Sequence, residues 1–317
     1  MGVTPPNEPG ILLATAADFH GYYLTLMGQI ADMFASLDIT DQRTATLLLR
    51  DLQREFNILE DLSAEWIEQN IPSWFTYGDE AAQQQLKGLG LSDFSAHFTQ
   101  VHEGALATVI GTMKQEVSGA IAQTQRTLLG FVQRVKQSPL DQRLILADVA
   151  KGVALGQRTQ RVASAIERTL AENAIMGRVT VGSRTMGLSD YASLLARTHL
   201  RVAYSRGTEA RLSSNDIDLV IISTHNTECK VCGPLENKVF SISGKHPKYP
   251  PISAMPNEGC PVHPNCLHVE NAFIEELASK EELQLAKIDP AAWPFGNVEA
   301  LTPGSGVNVA PALETIH

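Results

Sequence analysis

The chain has 317 residues, 44% hydrophobic and 19% charged, with a formal net charge of −10. That length predicts two domains with a possible tail, and that composition excludes wholesale disorder. No run of about 18 apolar residues occurs, so no membrane span is expected, and Met1 to Gly10 lacks the basic-then-apolar pattern of a signal peptide.

Charge is unevenly distributed. Residues 1–125 hold 5 Lys/Arg against 16 Asp/Glu, residues 126–211 hold 14 against 6, and residues 212–317 hold 6 against 13. The middle block is mostly arginine, which suits bidentate contact with phosphate or carboxylate. Arg197, Arg201 and Arg206 are candidates for contact with DNA or an acidic partner. The alternative is that these arginines are solvated helix faces paired with the acidic blocks of the same chain.

The expected fold class is α+β. A mainly helical N-terminal region with a long helix, residues 1–138, precedes a small zinc-stapled α+β domain, residues 139–287, and an extended Pro/Gly-rich tail, residues 288–317. Met27, Ile30, Ala31, Phe34 and Leu37 recur at helical spacing. Thr40 is placed to cap a helix over about 41–70, whose stripe is Leu47, Leu48, Leu52, Phe56, Leu59, Leu62, Trp66 and Ile67. Pro72 is expected to end it, and a short helix over about 79–89 to stop near Gly90. A stripe from Phe94 through Val109, Met113, Val117, Ile121 and Leu128 to Val135 then predicts a helix of roughly 60 Å.

Beyond Ser138-Pro139, helices are expected at about 140–153 and 157–173. A Gly-punctuated, β-branched stretch over 177–187 predicts a short hairpin, and 190–212 a helix capped by Ser189. Asp218 to Thr224 is the clearest strand, and His268 to Phe273 is a second, followed by a helix to about Lys287. The segment between them reads as loop.

All four cysteines fall between Cys229 and Cys266. Cys229 and Cys232 form a Cys-x-x-Cys knuckle; about thirty residues later come Cys260, His263, Cys266 and His268. Two donor clusters across a loop are the pattern of a structural zinc site, because a knuckle turns two thiolates toward one point and a second pair closes a tetrahedron. The first choice of ligands is Cys229, Cys232, His263 and Cys266, with Cys260 or His268 as substitutes. The loop reads as poor in core residues, so a metal would supply folding energy there. Unmetallated thiols and a disulfide are the alternatives. Deaminase and metalloprotease patterns do not match, since no His-x-Glu precedes the knuckle and His225-x-x-Glu228 is not His-Glu-x-x-His. No catalytic residue is assigned. His97, His102 and His199 sit on expected helices with no ligand role.

Thr227 to Ser241, containing Cys-x-x-Cys-x-x-Leu-Glu-Asn-Lys-Val-Phe-Ser, followed by Pro250-Pro251 and by His263-Pro-Asn-Cys-Leu-His268, resembles the C-terminal domain of phage Mu F-like head proteins. Tyr191 to Thr198 is similar to the helix that precedes that domain. Trp66 to Pro72, with Tyr77, Gly78 and Ala81, resembles the opening of the related phage minor capsid protein family. Asn237 stands where the family often has Gly, Leu267 where it often has Arg, and Cys260 is an extra thiol. The resemblance implies a structural, non-enzymatic virion component of head morphogenesis. It would bind portal or major capsid protein, with possible contact to packaged DNA, in several copies per particle. The competing function is a zinc-dependent nuclease or toxin-like effector.

Overall fold

The computed structural model describes residues 9–36, 42–91, 93–135, 179–181 and 184–303. Its elements in chain order are α1 (Pro9–Ser36), α2 (Gln42–Gly88), α3 (Gln100–Val135), β1 (Val179–Val181), β2 (Arg184–Met186), α4 (Leu188–Ser213), β3 (Leu219–Ile222), β4 (Val239–Ser241), β5 (Glu270–Ala272) and α5 (Lys280–Leu285). The architecture is α+β and mainly helical. Thr40 and the helices expected over 140–173 lie outside the described residues.

The chain divides into two compact units whose boundaries fall inside α1, α2, α3 and α4. One gathers the described residues of Met1–Leu13, Glu68–Gly111 and Arg197–His317, the other those of Ala14–Ile67 and Thr112–Ala196. The expected sequential cuts at 138/139 and 287/288 do not coincide with these. A helix longer than a domain core can serve two cores in turn, so covalent order and packing order part company.

In the second unit α1 packs on α2. The Phe19 and Trp66 rings lie 4.6 Å apart, and the Tyr23 and Ser63 hydroxyls meet at 3.0 Å in the buried interior. Burial pushes the Tyr23 phenol far above its ordinary range, so it stays a neutral hydrogen-bonding group. Leu48, Leu52, Phe56, Leu59, Trp66 and Ile67 form the buried stripe of α2, as the periodicity implies, whereas Leu47 and Leu62 are 42% and 37% exposed. Ser118 of α3 donates to Glu60 at 2.7 Å, and Gln125 donates to Gln53 at 2.6 Å, so polar rungs line the α2–α3 contact.

Pro72 does not end α2; the helix runs through it to Gly88. An internal proline costs about 3 kcal/mol through its missing N–H. Ile71, Trp74 and Phe75 are all buried around it, and burying a large apolar side chain is worth about 1.5–3 kcal/mol. Packing therefore outweighs the local penalty. Ser73 and Thr76 hydroxyls donate to the Gln69 and Pro72 carbonyls at 3.0 Å, on either side of the proline. The helix stops where expected: Gly90 has φ +80, and Leu91 N–H reaches back to the Leu86 carbonyl at 3.0 Å, a left-handed C-terminal cap.

The first unit holds the three-stranded sheet, ordered β4-β3-β5 with both pairings antiparallel. Val220 of β3 sits opposite Phe240 and Ala272. β4 lies in the stretch read as loop, since three residues between turns carry no alternation to detect. The hairpin expected over 177–187 is β1 paired antiparallel with β2.

Two expectations about this unit are corrected. The loop region is not poor in core: Val220, Ile222, Leu235, Phe240, Ile252, Ala254, Met255 and Val262 pack in one buried cluster with Cys232, Cys260 and Cys266. Nor does residue 288 begin an unpacked tail. Trp293, Ala300 and Leu301 are buried in that same cluster, and Trp293 Nε1 donates to Asn297 at 2.8 Å. Pro290 opens a short 3₁₀ turn, Pro290–Ala292, directly before Trp293.

Candidate metal centre

The strand pairing brings the two donor clusters together. β3 and β5 are antiparallel neighbours, so the end of β3 lies beside the start of β5. The knuckle follows β3, and the segment His263 to His268 precedes β5. Ser223 N–H donates to the Val269 carbonyl at 2.9 Å, and Val269 N–H donates to Ser223 Oγ at 3.0 Å, which locks that end of the pair. The β3–β4 connection returns to the same end, with Asn237 N–H on the Ile222 carbonyl at 3.0 Å. Asn237 has φ +62, a conformation that asparagine adopts more readily than most residues, which explains how it stands where the resembling family often has Gly.

Both donor segments are tight turns. Gly233 N–H bonds the Cys229 carbonyl at 2.9 Å, and Cys266 N–H bonds the His263 carbonyl at 2.8 Å. Two groups of donor atoms result, each with all members within 4.8 Å: Cys229, Cys232 and His263, and Cys232, Cys266 and His268. His263 Nε2 lies 3.5 Å from Cys229 Sγ and 3.2 Å from Cys232 Sγ, and His268 Nδ1 lies 3.4 Å from Cys266 Sγ. In a tetrahedral site with Zn–S of 2.3 Å and Zn–N of 2.0 Å, sulfur and nitrogen ligands stand about 3.5 Å apart. The donor set and its spacing therefore fit a metal ion. The four residues preferred from the sequence are divided between the groups, with Cys266 in the one that holds His268. Cys260 is in neither: it is buried, and its N–H donates to Glu270 Oε1 at 2.6 Å.

Two of the three thiols are shifted toward the thiolate. Backbone hydrogen bonds from Cys232 and Val231 bring the Cys229 thiol below its ordinary value. Burial pushes Cys266 upward, but hydrogen bonds from His268 and the Val262 backbone outweigh it and leave the thiol lowered. Burial, and then the neighbouring Cys229 and Cys266 sulfurs, push the Cys232 thiol up. Arg201 supplies one buried positive charge nearby. Burial disfavours its charged form, Cys266 and Cys260 favour it, and its Nη1 has no hydrogen-bond partner among the described residues. Three thiolates and one imidazole on a divalent ion would leave one net negative charge, and Arg201 would then be its counter-charge.

Two of the three arginines expected to face DNA or an acidic partner are turned inward. Arg201 is buried. Arg206 pairs with Glu209 at 2.6 Å and donates to the Asn257 and Glu258 carbonyls at 2.7 and 3.2 Å. Arg197 is partly exposed and donates to Asn265 at 3.3 Å. Pairing within the same chain, the alternative set out from the charge pattern, describes Arg206.

Sequence reasoning assigned no role to Glu236, although it lies in the Leu-Glu-Asn of the resembling motif. Its Oε1 accepts hydrogen bonds from His225 N–H at 3.0 Å and Thr227 N–H at 3.2 Å, and lies 3.0 Å from His268 Nε2.

A family model described as phage minor capsid protein 2 matches residues 82–293, about two thirds of the chain. The chain belongs to the phage minor capsid protein family. The match spans the C-terminal part of α2 through Trp293 and so includes the whole cysteine–histidine cluster; Trp66 to Ala81 precedes it. No curated protein and no solved structure matches the chain. Membership gives this minor capsid protein a structural role in the capsid and places it in the virion. Among its described residues no helix is long and apolar enough to cross a membrane.

Proposed function

We propose that this minor capsid protein is a structural, non-enzymatic component of head morphogenesis that docks on portal or major capsid protein. In this reading a zinc ion held by Cys229, Cys232, Cys266 and one of the flanking histidines fixes the shape of its C-terminal sheet module. The observation that carries it is that the family match and the thiol–imidazole cluster coincide on the same residues. A closed structural site accounts for the donor set: three sulfurs and one imidazole would fill a tetrahedron and leave no position for a reacting water. The module resembles the Mu F-like domain on the motif residues quoted above. Contact with packaged DNA would fall to residues other than Arg206, whose guanidinium is already committed.

Cross-linking mass spectrometry of purified phage heads tests the docking. The expected result is cross-links from lysines such as Lys87 and Lys114 to portal or major capsid protein. Cross-links confined to tail proteins, with none to portal or shell, would contradict it.

A further inference from the structure

We infer that the imidazole of the metal centre is His268, bound through Nδ1, and that Glu236 is the positioning residue that orients it. The inference rests on the reading that this cluster holds a metal.

A metal-bound histidine usually donates its other ring N–H to a carboxylate or carbonyl, which fixes both tautomer and ring direction. The two candidate histidines differ in this respect. His268 is 3% exposed, and its Nε2 lies 3.0 Å from Glu236 Oε1. Glu236 is itself held, because the same oxygen accepts the backbone N–H groups of His225 and Thr227. A carboxylate oxygen can only accept, so the proton of a neutral His268 is drawn to Nε2. That leaves the Nδ1 lone pair facing inward, 3.4 Å from Cys266 Sγ, in the group of three whose members are all buried. The His225 ring stands edge-on against His268 at 4.9 Å.

His263 is half-buried and meets Cys229 and Cys232 through the single atom Nε2. Among the described residues no carboxylate is hydrogen-bonded to its ring. His263 therefore lines the more open side of the site, and no carboxylate among the described residues sets its tautomer. A ligand held in place before the ion arrives loses less freedom on binding than one that is not. The inferred set is the buried group Cys232, Cys266 and His268, with Cys229, from the other group and joined to it through the knuckle partner Cys232, as the fourth ligand and Glu236 behind His268.

The test uses the full chain, purified and reconstituted with zinc or cobalt(II) alone. Metal content is measured, cobalt(II) absorption reports the ligand set, and zinc release to a coloured chelator reports affinity. Wild type and His263→Gln are expected to hold about one metal per chain with the same cobalt spectrum. His268→Gln is expected to lose the metal or shift that spectrum. Glu236→Gln keeps every ligand, so it is expected to bind metal about 10–100-fold more weakly. A changed spectrum in His263→Gln together with wild-type spectrum and affinity in His268→Gln and Glu236→Gln overturns the inference and leaves the metal reading intact. A wild-type chain that takes up no metal overturns both. Far-ultraviolet circular dichroism separates lost ligation from lost folding, and Glu236→Gln decides the matter if His268→Gln does not fold.

Discussion

Arg211 and Asp79 form a bidentate ion pair in the interior of the first unit. Nε donates to Oδ1, and Nη2 donates to Oδ2 at 2.9 Å. Arg211 is 1% exposed, and its remaining N–H groups go to the Ser95, Ala96 and His97 carbonyls at 2.7, 3.1 and 3.0 Å. One guanidinium thus joins α2, α4 and the segment before α3. Removing one partner of a buried pair leaves a buried charge uncompensated and costs about 3–5 kcal/mol. Arg211→Met and Asp79→Asn are each expected to destabilise the protein by about that much in chemical denaturation. The double variant is expected to cost much less than the sum.

Close helix approach gives a second test. A Cβ on Gly207 would lie 2.0 Å from the Phe75 carbonyl oxygen, and one on Gly78 would lie 1.8 Å from that of Tyr204. Both contacts are with backbone, which cannot swing aside. Thr208 Oγ1 also donates to the Gly78 carbonyl at 3.1 Å across the same crossing. Gly78→Ala and Gly207→Ala are expected to lower stability by about 1–3 kcal/mol or more, as overpacking does. Gly111, in α3, has open space around it, so Gly111→Ala is expected to raise stability by about 0.5–1 kcal/mol. Thermal unfolding of the three variants measures the contrast.

His102 makes the stability depend on pH. Its ring is buried, Thr99 N–H donates to Nδ1 at 3.2 Å, and Nε2 lies 3.5 Å from Asp79. Burial, and then the Arg211 charge, lower its pKa from 6.5. A depressed folded pKa means that the unfolded chain takes up the proton first. The contribution is full above pH 6.5 and is lost as pH falls through the folded value. Stability is expected to drop as pH is lowered below 6.5, with part of the slope absent in His102→Gln. Denaturant midpoints at a series of pH values measure it; identical slopes would remove His102 from the account.

Metal removal separates the cysteines. Cys229→Ser and Cys266→Ser are expected to lose metal, whereas Cys260→Ser keeps it, since Cys260 lies in neither donor group. Stability alone cannot make this distinction, because a serine at the buried Cys260 also costs energy by burying a hydroxyl. A strong chelator is expected to lower the stability of wild type by about 3–4 kcal/mol relative to free zinc at 100–1,000 times Kd. It should not unfold the first unit outright, because Phe240, Ile252 and Trp293 give that unit a core of its own.

Much of the fold is legible where one residue type repeats over many turns. Leu48, Leu52, Phe56, Leu59 and Trp66 mark the buried face of α2, and the β-branched run at Leu219–Ile222 marks β3. Local rules fail where distant packing overrides them. Pro72 looks like a stop until the burial of Ile71, Trp74 and Phe75 is known. The last prolines look like a tail until Trp293 is found in the core.

The candidate site divides in the same way. Cys229 and Cys232 are a readable pair because their spacing alone sets their geometry. The choice between His263 and His268 depends on Glu236, thirty-two residues from His268 in sequence and 3.0 Å from it in space. Nor does an arginine-rich stretch say which way its side chains point: Arg201, Arg206 and Arg211 belong to the block that reads as a basic face, and all three are drawn inward by carboxylates, carbonyls or thiols.

The measurement that bears most directly on a capsid role is the protein composition of purified, DNA-filled phage particles by quantitative mass spectrometry. The account predicts this chain at a fixed ratio to the portal and shell proteins, retained through repeated density-gradient purification. Its presence in infected-cell lysate and absence from those particles would contradict it.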